Sequence, residues 1–227
     1  MKRTLPISGL TIIGLLVGLA STSAFANIIH NGGFESPAVS QVYLAPGSDI
    51  DGWSVIDNTI SHQNTSAYAA LGVVASEGNQ FLDLTGDVGR GGGVHYGTII
   101  LEAGETYSLQ FDVGAFFVLG FGSFGNATVD VLISQHSGEI YQSFTNVLSL
   151  TSPGSDWETK LLSFVSSGGK TTFVFRSSTS TESSDLGVGL DNVRLEKTAN
   201  AVTEPATLGL LGLGLLGLAA NRRRKTA

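Results

Sequence analysis

The sequence predicts an all-β protein, a single β-sandwich bracketed by an N-terminal signal peptide and a C-terminal hydrophobic helix. Three observations carry this. Between residues 80 and 196 apolar and polar side chains alternate with a period of two, as half-buried antiparallel strands require. No long amphipathic helix interrupts them, which disfavours an α/β fold, and no repeat of fixed period is visible, which argues against propellers and solenoids. Each end of the 227-residue chain carries an apolar run with basic residues beside it.

The N-terminal element is a signal peptide over residues 1–26. Lys2 and Arg3 give a positive start, residues 10–20 an apolar run, and Ala24-Phe25-Ala26 an A-x-A cleavage site, so the mature chain starts at Asn27. Residues 27–201 form one domain, long enough to bury a core. Its clearest strand is residues 106–113, where Tyr107, Leu109, Phe111 and Val113 share one face while Ser108, Gln110 and Asp112 share the other. Further strands are expected at 80–84, 94–101, 127–134, 140–150, 157–165, 171–177 and 187–196. Turns such as Ser152-Pro153-Gly154-Ser155 and Ser166-Ser167-Gly168-Gly169 separate them.

There is no cysteine, so disulfides, a lipidated cysteine anchor and thiolate chemistry are excluded. The whole chain carries a net charge of −7, yet residues 27–201 hold six basic and eighteen acidic side chains, a net −12. Such a domain repels nucleic acid and anionic lipid and favours cations or neutral polar partners. The same charge equally serves to keep an exported domain soluble.

The C-terminal element, residues 202–227, opens with Val202-Thr203-Glu204-Pro205, continues as a Leu/Gly/Ala run over 207–220, and ends in Arg222-Arg223-Arg224-Lys225. Fourteen helical residues span about 21 Å against a hydrocarbon core of roughly 30 Å, so the segment is a short, weak anchor. The four cations act as a membrane stop on the cytoplasmic side, which leaves the preceding domain outside. This order of parts resembles the PEP-CTERM sorting domain of Gram-negative bacteria, although Thr203 stands where the first proline of the tripeptide is expected. The resemblance implies recognition by an exosortase-type enzyme, transient anchoring in the inner membrane, cleavage near Glu204-Pro205, and transfer to the cell surface or beyond.

A second resemblance covers the mature domain. Asn31-Gly32-Gly33-Phe34-Glu35, Gly52-Trp53, the stretch Leu101-x-Ala103-Gly104-x-Thr106-Tyr107-x-Leu109-x-Phe111, and Asp191-Asn192-Val193-x-Leu195 look like the galactose-binding-like jelly rolls, which include many carbohydrate-binding modules and the DUF642-type cell-wall proteins. Such modules often hold a structural calcium between first and last strands. The resemblance implies that Glu35 and Asp191 supply carboxylate oxygens and the backbone around Gly33 carbonyls, a hard-oxygen set suited to calcium. The alternative reading is that Glu35 is a solvated acid and Asp191 a turn or strand-end residue bonding local backbone amides.

Trp53, flanked by Ser54 and Val55 in an alternating strand, is read as core rather than as a sugar platform. Trp157 leads a strand of undecided facing. The phenylalanines of the 116–124 stretch either cap the core or form a contact surface, with capping favoured. Enzyme signals are weak. Gly120-x-Gly122-x-x-Gly125 has no helix after it to hold a pyrophosphate, and Arg90-Gly91-Gly92-Gly93 lacks a P-loop ending. His30, His62, His95 and His136 are scattered, no serine sits in a G-x-S-x-G elbow, and nothing fixes the separation of Asp49 and Asp51 or of Asp83 and Asp87.

The expected function is therefore a secreted, non-enzymatic module that binds a glycan or matrix polymer at the cell surface. A structural biofilm protein acting through protein contacts, and a polysaccharide-degrading enzyme, are the alternatives.

Overall fold

The computed structural model describes residues 26–86, 91–117, 125–148, 153–178, 186–198 and Gly214. Eleven strands run in chain order: β1 (Gln41–Leu44), β2 (Trp53–Ile56), β3 (Ile60–Asn64), β4 (Gln80–Asp83), β5 (Gly93–Leu101), β6 (Thr106–Phe117), β7 (Gly125–Gln135), β8 (Gly138–Leu148), β9 (Gly154–Val165), β10 (Gly169–Ser177) and β11 (Leu186–Lys197). They form a six-stranded sheet, β1-β3-β4-β11-β6-β9, and a five-stranded sheet, β2-β5-β10-β7-β8, with antiparallel pairing throughout. This is the expected β-sandwich.

Eight strands lie where the alternation puts them, several extended by one to four residues. Strands β1 and β3 are additional, because their sequences, QVYL and ISHQN, lack a clean apolar alternation. In β3, Ser61, His62 and Gln63 are all buried, so both its faces are covered.

The core between the sheets is built from the inward faces of the strands. Leu109, Phe111 and Val113 of β6 meet Val129 and Val131 of β7 and Phe173 and Phe175 of β10 in one cluster. Phe111 touches Phe144 and Phe175 edge-on, at ring separations of 5.1 and 5.2 Å. At the edge of the six-stranded sheet, β9 turns Lys160 toward the Phe111 side, where it pairs with Glu158 at 2.7 Å. An inward-turned charge on an edge strand opposes pairing with another sheet.

The N-terminal segment extends the six-stranded sheet along β11. The Ile28 amide donates to Leu195 O at 2.8 Å, and the Val193 amide donates to Gly32 O at 2.8 Å. This approach requires Gly32, because a Cβ there would stand 1.8 Å from Val193 O.

Candidate functional site

A strap formed by residues 65–79 crosses the outward face of the six-stranded sheet. It begins with one helical turn, Thr65–Tyr68, capped by the Asn64 side chain, which accepts the Ser66 amide at 2.9 Å. Glycines in the sheet beneath make room for the rings that pack there. Gly114 and Gly189 lie under the Trp157 ring and Gly187 under Phe116, with no room for a Cβ at any of the three. Val73 of the strap, Phe81 and Phe116 make a second small core there, with Trp157 packed against it. The Trp157 indole donates to Val74 O at 2.8 Å.

Carboxylates grip the end of the strap. Asp191 Oδ2 accepts the Ser76 and Glu77 amides at 2.9 and 3.0 Å, and its Oδ1 accepts the Asn192 amide at 2.7 Å. Glu35 Oε1 accepts the Asn79 and Gln80 amides at 2.7 and 2.8 Å. Between these two grips Gly78 adopts φ +64°, and a Cβ there would meet Glu35 Oε1 at 2.3 Å. Asp112, the cross-strand partner of Asp191, accepts from Ser76 Oγ, from Thr159 Oγ1 at 2.7 Å and from Asn192 Nδ2 at 3.1 Å.

Burial pushes the Asp191 carboxyl up to about 7, and the charge of Asp112 adds to the shift, while the amides of Glu77, Asn192 and Ser76 oppose it. Burial likewise pushes Asp83 up to about 6 against the opposing hydrogen bonds from Thr85, Val188 and Gly86. Between about pH 4 and pH 6 the folded chain keeps a proton on Asp83 that the unfolded chain has lost, so stability falls as pH rises through that window. By linkage the loss is roughly 3 kcal/mol by pH 7. Melting of wild type and Asp83→Asn between pH 4 and pH 7 is expected to give a flatter profile for the variant. Parallel profiles would show that Asp83 does not titrate in this range.

Beside the strap lies a cleft of about 430 Å³, lined by Asn27, Gly33, Glu35, Glu77, Gly78 and Asn192 together with Val193, Arg194 and Glu196. Arg194 pairs with Glu77 and donates from Nε to Asn192 Oδ1 at 2.6 Å. Of the residues implied for calcium, Gly33 and Glu35 face this cleft. Asp191 does not line it and is 0% exposed beneath the strap. Both carboxylates bond backbone amides: Asp191 those of its neighbour Asn192 and of the distant Ser76 and Glu77, and Glu35 those of Asn79 and Gln80. Among the described residues no three His, Asp or Glu side chains converge on one metal position.

The outward face of the five-stranded sheet is different in character. Cross-strand register sets Arg176, Asp130 and Ser143 in one row, and His95, Val174, Leu132 and Tyr141 in the next. Tyr141 is 63% exposed. Its hydroxyl donates to Asp130 Oδ2 at 2.7 Å, and Asp130 Oδ1 accepts from Ser143 Oγ at 2.6 Å and Ser178 Oγ at 3.1 Å. Sequence reasoning did not single out Tyr141. The signal was present in Ile140-Tyr141-Gln142-Ser143-Phe144, where inward Phe144 puts Tyr141 outward.

Trp53 is fully buried, as expected, with Nε1 donating to Asn31 O at 3.1 Å. Trp157 faces outward, under the strap. Phe116 and Phe117 are both buried, while Phe121 and Phe124 lie outside the described residues. The sorting motif Val202, Thr203, Glu204 and Pro205, the membrane stop Arg222, Arg223, Arg224 and Lys225, and Asp87 lie outside them too. No described helix is long and apolar enough to cross a membrane. The described histidines are apart: His30 contacts Asp51 at 3.2 Å, His62 bonds Phe34 O at 2.7 Å, His95 sits on the five-stranded sheet, and His136 is exposed in the turn between β7 and β8.

The HpiC1-like family, described as HpiC1 cyclase, matches residues 26–196. The chain belongs to the HpiC1-like family. A PEP-CTERM protein-sorting motif follows this HpiC1-like domain at residues 201–225. No protein of curated function matches the chain. Solved structures similar to the HpiC1-like domain include TmCBM61 in complex with beta-1,4-galactotriose, at 15% identity over 76% of this chain and 99% of that one, with a TM-score of 0.42. The CBM22-1 xylan-binding domain of Paenibacillus barcinonensis Xyn10C is similar at 13% identity over 70% and 95%, with a TM-score of 0.40. A family 35 carbohydrate binding module from Clostridium thermocellum is similar at 14% over 69% and 98%, with a TM-score of 0.38.

Proposed function

We propose that the protein is an exported, surface-directed, non-catalytic module that binds a neutral glycan or matrix polymer along the outward face of its five-stranded sheet. Tyr141 carries the reading. A sugar needs an apolar surface for its C–H face and fixed polar groups for its hydroxyls. The exposed Tyr141 ring, with Asp130, Ser143 and Arg176 beside it, offers both. The domain charge of −12 favours a neutral polymer over an anionic one. The sorting motif supports an exosortase-type enzyme as processing partner, a transient stay in the inner membrane, and delivery to the surface.

An array of neutral and anionic polysaccharides tests this, with saturable retention on a neutral polymer expected. Self-association without retention on any polysaccharide would instead indicate a structural protein acting through protein contacts.

A second reading comes from the family description, which names a cyclase. In that case Asp112 and Asp191 are the carboxylates to test as an acid–base pair. Non-catalytic function is the reading supported better, because the oxygens of both accept hydrogen bonds that hold the strap and the sheet together.

Structural calcium is part of the proposal, in narrowed form. The carboxylates of Glu35 and Glu77 and the backbone around Gly33 give the cleft hard oxygen donors of the class calcium takes. Asp191, already committed to three amides, would act through the strap. Since Glu35→Ala also removes two amide bonds, its destabilisation alone does not report on metal. Chelation does: a chelator is expected to lower the melting temperature, and calcium to restore it. An unchanged melt in chelator would contradict the calcium proposal.

A further inference from the structure

Both ends of the described domain leave it at one place. Asn27 Oδ1 accepts the Leu195 amide at 2.9 Å, and the Thr198 amide donates to Thr106 O at 2.8 Å. Ala26, Ile28, Ile100, Glu102, Tyr107 and Lys197 line a second cavity there, of about 360 Å³, with Lys197 paired to Glu102 at 2.7 Å. Around this ion pair, large apolar side chains are exposed. Ile100 is 71% exposed and Ile28 37%, and Val165, 60% exposed, ends β9 opposite Thr106. Lys170 stands beside Ile100 across the β10–β5 pair.

The apolar run of the sorting segment starts at residue 207, with residues 199–206 between it and Thr198. Eight residues reach about 28 Å when fully extended. This end of the sandwich is therefore confined near any bilayer that holds the run.

We infer that, while the C-terminal segment anchors the chain, this end of the sandwich lies against the bilayer, with Ile100 and Ile28 in the interfacial layer and Lys170 at the headgroups. Isoleucine beside lysine is the chemistry of interfacial contact, an apolar body with a cation reaching the headgroup level. The inference rests on the anchoring reading of the sorting segment.

The chain has no cysteine, so single labels can be placed without further change. The full-length protein carrying Ile100→Cys, Ile28→Cys or Val147→Cys is labelled with an environment-sensitive fluorophore and reconstituted into phosphatidylethanolamine/phosphatidylglycerol vesicles containing a headgroup-level quencher. Val147 is the control, since it is 62% exposed but lies at the opposite end of β8 from Gly138. Labels at 100 and 28 are expected to be quenched at least about threefold more than the label at 147. Equal quenching at all three positions, in protein that floats with the vesicles, overturns the inference while leaving the anchor intact. Protein that does not float overturns the anchor and the inference with it.

Discussion

Trp53→Ala is expected to destabilise the domain by about 3–5 kcal/mol, the scale of deleting a fully buried aromatic side chain. The indole is 0% exposed and meets Phe34, Tyr96 and Phe175 at ring separations of 5.2, 4.8 and 5.9 Å. Its Nε1 also ties down the Asn31–Phe34 turn, where Asn31 and Phe34 hold positive φ values of 51° and 54°. Loss of the ring therefore leaves a cavity and frees the segment that docks along β11. Denaturant unfolding measures the effect. A cost below about 1 kcal/mol would mean that Trp53 is not a core residue.

Asp191→Ala is expected to release the strap. The substitution strands the amides of Ser76, Glu77 and Asn192, and buried donors left unpaired cost about 1–3 kcal/mol each. Relief of the buried carboxylate offsets part of this, so a net loss of about 3 kcal/mol is expected. Amide exchange localises it: Ser76 and Glu77 should lose protection while Phe173, in the main core, keeps most of its own. Uniform loss of protection would show that Asp191 serves the whole sandwich rather than the strap.

The sandwich was legible because most of its strands bury one face. Tyr107, Leu109, Phe111 and Val113 announce β6 by alternation alone, and Trp53 was readable as core from its alternating neighbours. The strap was not. Val73 and Phe81 are buried on the far side of a sheet, which breaks the rule of one apolar face per strand. Gly187 and Gly189 fall inside an expected strand, but nothing local says that they and Gly114 make room for the Trp157 and Phe116 rings. Glu35 and Asp191 were found in sequence, yet which atoms they bind depends on a strap about 115 residues from Asp191, a separation that local pattern cannot bridge. Tyr141 was missed because one exposed tyrosine has no distinguishing spacing; its neighbours Asp130 and Ser178 become partners only through sheet register.

The outward face of the five-stranded sheet is proposed to bind glycan through Tyr141. Affinity electrophoresis in gels containing a polysaccharide retained on the array tests it most directly, with wild type, Tyr141→Ala and Leu161→Ala compared. Leu161 is 59% exposed on β9 of the other sheet and serves as the matched control. A loss of roughly tenfold in affinity, equivalent to about 1.4 kcal/mol, is expected for Tyr141→Ala, and none for Leu161→Ala. Unchanged affinity for Tyr141→Ala, or a loss confined to Leu161→Ala, would contradict the proposal.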